Sequence, residues 1–348
     1  MRLRWAVAAL GATSTARGCV LVHAESLRPL LASPARAFAP APPHIRHFRG
    51  GSMLAAAGGA LRAAPPLARS AGASMLAGAA ISALVIGGFN LLGFAATLVA
   101  PAKAEKVTDL LGTGAIAASA IATFALSPFP LSLRKVLVTA AVVSWGVRLA
   151  GFLFYRVLRT GGDTRLEQYF ETVSSMAAFW GVSALWGWLT ALPTTLLCFS
   201  PAAARPLGPI AIVAAAVFCS AFAAEAVSDW QKWHWKQDPN HADHWCDVGL
   251  WSQCRHPNYA SELTIWPSIF LLAAPGLVQV SGSAVARVGG VAAAALCPIF
   301  VALVILKVSG VPIAEARNER RFAQRPAYQQ YKSSTPLLVP RFVQRWFV

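Results

Sequence analysis

Charge is scarce in this chain. Only 13% of its 348 residues are Asp, Glu, Lys or Arg, against about 25% in an average soluble domain, while 56% are hydrophobic. That balance excludes an ordinary water-soluble globule. Acids are the scarcer sign, with 14 Asp and Glu against 30 Lys and Arg and a net charge of +16. A basic excess can signal nucleic acid, but such proteins gather their cations on a solvated face. Here the cations fall in an N-terminal stretch and in short loops between apolar runs, so no nucleic-acid partner is expected. Cysteines are few and unpatterned: Cys19, Cys198, Cys219, Cys246, Cys254 and Cys297 show no repeated spacing, which excludes a disulfide framework. Nothing reads as a strand followed by GxGxxG, so a soluble-type dinucleotide fold is not expected either.

What is present begins with a leader. The first seventy residues carry nine Arg, no Lys and a single acid, Glu25, amid Ala, Ser and Pro. That is the composition of a transit peptide, and it predicts an organelle membrane, a plastid before a mitochondrion, with the endoplasmic reticulum as the remaining destination. A disordered basic tail from GC-rich coding is the bland alternative. Residues 1–70 are therefore set aside from the fold.

Beyond the leader, apolar runs alternate with short polar loops, and about 20 apolar residues are needed to cross the hydrocarbon core. The runs predict spans over 74–100, 109–127, 136–157, 172–199, 209–228, 259–279 and 288–309. The expected fold is all-α, a polytopic integral-membrane helical bundle of about seven transmembrane helices, over residues 71–340, with 341–348 as a tail. Lys and Arg concentrate in loops on one face of such proteins. Loops after odd-numbered spans receive Lys103, Lys106, Arg156, Arg159, Arg165, Lys232, Lys236, Arg255 and the cations of the tail. The other side has Arg134, Lys135, Arg205 and Arg287, apart from the leader.

The polar clusters converge on that first face. In the third span, Arg148 must turn to the bundle interior and pair with a carboxylate, a phosphate or carbonyls, or else snorkel to the interface; Arg159, Asp163 and Arg165 follow in the loop. Glu225, Asp229 and Lys232, at i, i+4 and i+7, line one helix face, and Glu225 lies inside an apolar run where an unpaired carboxylate is expensive. Trp230, Trp233 and Trp235 suit an interfacial aromatic belt. The segment DVGLWSQCRHPNYASE sets Trp251, Arg255, His256, Asn258, Tyr259 and Glu262 against a membrane-length apolar run. Glu315 and Glu319 interleave with Arg317, Arg320 and Arg321 in a basic amphipathic terminal helix, before Tyr328 and Tyr331. Lipid head groups explain that helix as well as a cofactor does. His234, His241, His244, Cys246, Cys254 and His256 are ligand types that zinc takes, but without CxxC or HxxxH they match no structural zinc pattern, and no metal is expected.

Four ordered motifs, WGVRLAGFLFYRVLRTGGDTR, DWQKWHWK, GLWSQCRHPNYASE and SGVPIAEARNERR…AYQQYKSSTPLLVP, resemble a family of membrane domains of unknown function over roughly residues 78–340. That family is similar to the C-terminal domain of steroid 5-alpha reductases and, more distantly, to isoprenylcysteine carboxyl methyltransferases. The resemblance implies a helical membrane bundle whose C-terminal half wraps NADPH from one face and takes a lipophilic enone from the bilayer. It points to Asp229, Trp251, Arg255, His256, Asn258, Tyr259, Glu262 and Tyr331 as cofactor-side residues. His256 departs from the shorter, less basic motif of the mammalian steroid reductases, which speaks against steroid specificity.

The expected chemistry is hydride transfer to the β-carbon of an α,β-unsaturated carbonyl, with a donor aimed at the oxygen where charge grows. Tyr155 and Tyr259 are candidate donors, and Glu225 and Glu262 serve if burial keeps one of them neutral. Arg148, Arg159, Arg165, Lys232 and Arg255 offer cations for the phosphates, with Asp163 beside them. Two other readings stand: methyl transfer from S-adenosylmethionine, for which fewer cations would be expected, and a non-enzymatic membrane scaffold in contact with lipids.

Overall fold

Helix-start chemistry recurs along the chain. Ser70 Oγ accepts from Ala73 N at 3.2 Å and Ser132 Oγ from Lys135 N at 3.4 Å. Thr172 and Ser175 exchange bonds as a capping box, and Pro209 and Pro257 stand in first turns. Each satisfies or removes an N–H that a helix start leaves unpaired. The computed structural model describes residues 70–161, 169–201, 206–279 and 284–344, with 101–105 described by backbone alone. All of these fall in one unit, Ser52–Val348.

The order is α1 (Ala71–Val99), α2 (Pro101–Ala125), α3 (Leu133–Thr160), α4 (Val173–Cys198), α5 (Pro209–Gln237), α6 (Pro257–Val278) and α7 (Ala284–Leu303). A π-helical turn follows over Val304–Val308, then α8 (Val311–Phe322), α9 (Pro326–Ser334) and α10 (Arg341–Gln344). Single 3₁₀ turns lie at Pro239–His241 and Gly249–Ser252 between α5 and α6. Among the described residues there is no strand, and seven helices are long and apolar enough to cross a membrane. The protein is a multi-pass membrane protein, an all-α bundle. Leu76, Leu84, Leu91 and Leu92 of α1 are exposed, as lipid-facing side chains are.

The core gathers where α3, α4 and α6 meet. Trp145 and Trp266 are both fully buried and pack edge to face at 4.7 Å, with Trp186 against Trp145 at 6.4 Å. Ile265, Ile269, Leu272 and Leu277 continue this core along α6. Prolines inside α4, α6 and α7 (Pro193, Pro267, Pro275 and Pro298) remove helix bonds, which transmembrane helices tolerate where neighbours satisfy the freed groups.

Two cations counted by sequence as loop charges turn inward instead. Arg134 and Lys135 are 6% and 1% exposed. Lys135 Nζ donates to Cys198 O at 3.0 Å and Pro130 O at 3.3 Å, capping the carbonyl end of α4, where the helix dipole favours a cation. Arg134 Nη1 donates to Leu272 O at 2.7 Å.

The C-terminal arm leaves the last span through a π turn and a non-helical Gly310. The π turn closes with Ser309 N donating to Val304 O at 2.9 Å, and a Cβ on Gly310 would lie 2.6 Å from Ile305 O. Only glycine fits so close an approach. The expected span 288–309 thus consists of α7 and the π turn, and α8 starts beyond it at Val311.

Candidate functional site

α5 outlasts its apolar window by more than two turns, and its face carries Glu225, Asp229, Lys232 and Lys236 at i, i+4, i+7 and i+11. Arg148, one side chain on α3, meets the first two. Its Nη2 pairs with Glu225 Oε1 at 2.5 Å and its Nη1 with Asp229 Oδ2 at 2.6 Å. Trp145 Nε1 donates to Glu225 Oε2 at 3.2 Å, and Phe222 lies 5.7 Å from the guanidinium. Glu225 is 3% exposed, so this is the buried, hydrogen-bonded geometry in which an ion pair holds two helices in register. Glu262, partly buried in the first turns of α6, is within electrostatic range of Glu225, Asp229 and Arg148. Two carboxylates therefore share one guanidinium, with a third close by.

About 10 Å along α5 from Glu225, at 1.5 Å per residue, the chemistry changes sign. The 3₁₀ turn at Gly249 has φ +57°, and a Cβ there would strike Gln231; Gln231 Oε1 instead accepts from Leu250 N at 2.9 Å. This turn seats Trp251, whose Nε1 donates to Ser228 O at 2.9 Å and whose ring lies 4.1 Å from Lys232 Nζ. Tyr331 Oη donates to Trp251 O at 2.9 Å, which ties α9 to the same turn.

Arg255 and His256 both bind Glu315 of α8, His256 Nε2 at 2.6 Å from Oε1. Their backbone N–H groups donate to Pro336 O at 2.8 Å and Leu337 O at 3.2 Å, so the C-terminal segment is strapped across the start of α6. Burial pushes the His256 imidazole below its usual range, partly offset by the hydrogen bond and charge of Glu315. Tyr259 stacks on His256 at 5.5 Å.

Between α5, this loop and α8–α9 lies a cavity of about 90 Å³. Lys232, Lys236, Arg255, Arg317 and Arg321 line it, and no Asp or Glu does. Its aromatic walls include Trp235, Trp245, Trp251, Tyr328 and Tyr331. The acidic hydrogens at its rim stay in place: burial pushes the Cys246 thiol up to about 11 and raises the Tyr331 phenol. Arg255 is paired with Glu315 and Arg321 lies 4.0 Å from Asp243, but with five cations and no carboxylate on the lining itself the cavity favours an anion.

The residues singled out by sequence fall into two connected groups. Glu225, Asp229, Arg148 and Glu262 gather at one end; Lys232, Trp251, Arg255, His256 and Tyr331 surround the cavity or its strap. Asn258 stands in the first turn of α6, its Oδ1 buried without a hydrogen-bond partner. Tyr155 is not brought to the carboxylates. It is 42% exposed, edge-on to Trp233 at 5.7 Å with Arg159 over its ring, two turns from Arg148 toward the loop. Asp163 and Arg165 lie outside the described residues. Sequence reasoning missed Trp145 and the roles of Glu315, Lys236, Arg317 and Arg321. Glu315 carried a signal, an acid amid arginines, but nothing in sequence says which cation it meets. Of the histidines weighed for zinc, His241 stacks on Trp235 at 3.6 Å, and among the described residues no three His, Cys, Asp or Glu cluster around a metal-sized space.

No curated protein and no solved structure is significantly similar to this chain. A family model described as "Protein of unknown function (DUF1295)" matches residues 96–335, from the last turn of α1 to the end of α9. Since that stretch is more than half of the chain and holds every residue of both groups, the protein belongs to the DUF1295 family.

Proposed function

We propose that this protein is a membrane-embedded reductase that uses NADPH to reduce a carbon–carbon double bond in a lipophilic enone or enoyl substrate. One observation carries the reading: a single face of α5 runs from the Arg148 carboxylate group to the cationic cavity, a separation that a dinucleotide can bridge. The donor set suits the cofactor's phosphates. Lys232, Lys236, Arg255, Arg317 and Arg321 would hold them, and Arg255 Nε is buried with no hydrogen-bond partner of its own. The resemblance to steroid 5-alpha reductases supports the same assignment, and the Arg-rich leader supports an organelle membrane, a plastid first.

When bound, NADPH supplies the hydride. The chain's own residues orient, exclude water and move a proton. Arg148 fixes the Glu225 and Asp229 carboxylates, so their positions do not drift as charge develops. Glu262, the carboxyl without a guanidinium contact, would hold at its Oε the proton that the substrate takes up, with Tyr259 Oη as the second donor toward the carbonyl oxygen. The packed tryptophans Trp145 and Trp266 keep water from this end. An apolar groove of about 490 Å³ between α5 and α6, lined by Val213, Val217, Leu263, Pro267 and Leu271 among others, favours a substrate with a hydrocarbon body.

Titrating NADPH, NADH and S-adenosylmethionine against the thermal midpoint of the purified protein tests the reading. Saturable stabilisation by NADPH is expected, about 2.7 kcal/mol at a hundredfold excess over Kd, and Arg255→Ala should lose it while remaining membrane-inserted. Stabilisation by S-adenosylmethionine instead moves the chain to methyl transfer, and silence from all three leaves a scaffold.

A further inference from the structure

Three polar hydrogens on residues that line the cationic cavity have no acceptor. Trp235 Nε1, Trp245 Nε1 and Arg255 Nε are each buried without a hydrogen-bond partner, and all three residues line the same cavity. An indole N–H can only donate, and so can a guanidinium. Buried tryptophans ordinarily find a partner for that hydrogen, so two orphaned indoles and an orphaned guanidinium N–H among the residues lining one cavity mark a place where acceptors come from outside the chain.

The rings are fixed by contacts that leave the N–H groups uncommitted. Trp235 lies flat against His241, with centroids 3.6 Å apart and planes 2° from parallel. Trp245 is wedged among Phe322 at 5.7 Å, Tyr328 at 5.2 Å and Tyr331 at 5.9 Å. Aromatic packing holds each plane, so little ordering is left to do when an acceptor arrives. The surroundings select the acceptor's charge. Lys232, Lys236, Arg317 and Arg321 share the lining and no carboxylate does, while Cys246 is held as a neutral thiol by burial. About 90 Å³ has room for one or two phosphoryl groups rather than for a whole dinucleotide.

We infer that Trp235 and Trp245 are phosphate-binding residues, their indole N–H groups donating with Arg255 Nε to phosphoryl oxygens of a ligand seated in this cavity. The inference rests on the reductase reading only for whose phosphates these are. Neither tryptophan belongs to the residues that the resemblance brings into the site. The cations supply attraction at a distance, and the indoles supply direction, because a neutral fixed N–H bonds only along its own axis.

The test uses the full chain in phosphatidylcholine nanodiscs, with inorganic pyrophosphate as the probe and isothermal titration as the readout. Trp235→Phe and Trp245→Phe keep a stacking ring and lose the N–H. Each should weaken pyrophosphate binding by about tenfold, the scale of one hydrogen bond to a charged group, with an unchanged thermal midpoint in the absence of ligand. Trp230→Phe, on an exposed ring tilted against His234 and outside the cavity lining, should bind as wild type. Repeating the titration with phosphatidic acid in the nanodisc separates the sources: competition with pyrophosphate assigns the site to a lipid head group, and its absence to a soluble phosphate. Equal affinity in wild type and both Phe variants overturns the inference, as does a wild type that binds no pyrophosphate. If pyrophosphate binding depends on the tryptophans but NADPH does not bind, the reductase reading fails and the phosphate site stands.

Discussion

Replacing Arg148 by Met should separate what the buried ion pairs contribute from what they merely accompany. Arg148 makes contacts of 2.5 Å to Glu225 and 2.6 Å to Asp229, and Glu225 also accepts from Trp145 at 3.2 Å. Met fills much of the arginine stem's volume and removes both pairs, leaving two carboxylates facing each other beside Glu262. Breaking a buried pair by removing one partner costs about 3–5 kcal/mol. Because Arg148 and Asp229 are 18% and 14% exposed, and carboxylates can take up protons instead, the lower end, about 3 kcal/mol, is the expected loss. The second half of the cycle is Arg148→Met with Glu225→Gln. Gln still accepts from Trp145 and no longer carries charge, so the double variant should recover about 1–2 kcal/mol of the loss. Reversible unfolding in mixed micelles, followed by tryptophan fluorescence, measures both. A single variant within about 0.5 kcal/mol of wild type, or a double variant less stable than the single, would refute the view that these charges hold α3 and α5 together.

Other outcomes follow from the arm that closes the cavity. Burial holds His256 below its usual 6.5, so the unfolded chain binds this proton more readily than the folded one; the stability is full above about pH 6.5 and is lost as pH falls below it. The thermal midpoint should therefore drop between about pH 7.5 and about pH 5.5 more steeply for wild type than for His256→Gln, and parallel curves would contradict this. Gly310→Ala sets a Cβ 2.6 Å from Ile305 O. The backbone must shift, with an expected loss of about 1–3 kcal/mol and faster proteolysis of the arm after α7; a variant as resistant as wild type would show that the bend tolerates a side chain.

Several features of the fold are readable without coordinates because the bilayer imposes them. A 20-residue apolar run has to be a helix that satisfies its own backbone, so the expected spans at 74–100, 136–157 and 172–199 lie close to α1 (Ala71–Val99), α3 (Leu133–Thr160) and α4 (Val173–Cys198). Where hydropathy ends early, the reading stops early too. The expected 209–228 is a helix to Gln237, since hydropathy senses lipid and not hydrogen bonding. The same limit hides the π turn after α7, which has the apolar composition of the helix around it.

What sequence alone determined is the class of the molecule, its seven spans, the gathering of polar clusters on one face, and the shared face of Glu225, Asp229 and Lys232, all consequences of spacing along a single helix. What only tertiary structure decided is who meets whom. Arg148 could have paired with a phosphate or with carbonyls, and it pairs with Glu225 and Asp229. Arg134 and Lys135 could have been solvated, and they cap buried carbonyls. Glu315 reaches Arg255 and His256 across about 60 residues, and Trp235 and Trp245 find no acceptor at all. Local periodicity fixes the direction of a side chain from its own helix, but contact between helices depends on crossing angles and bends such as the one at Gly310, which are properties of the packed bundle.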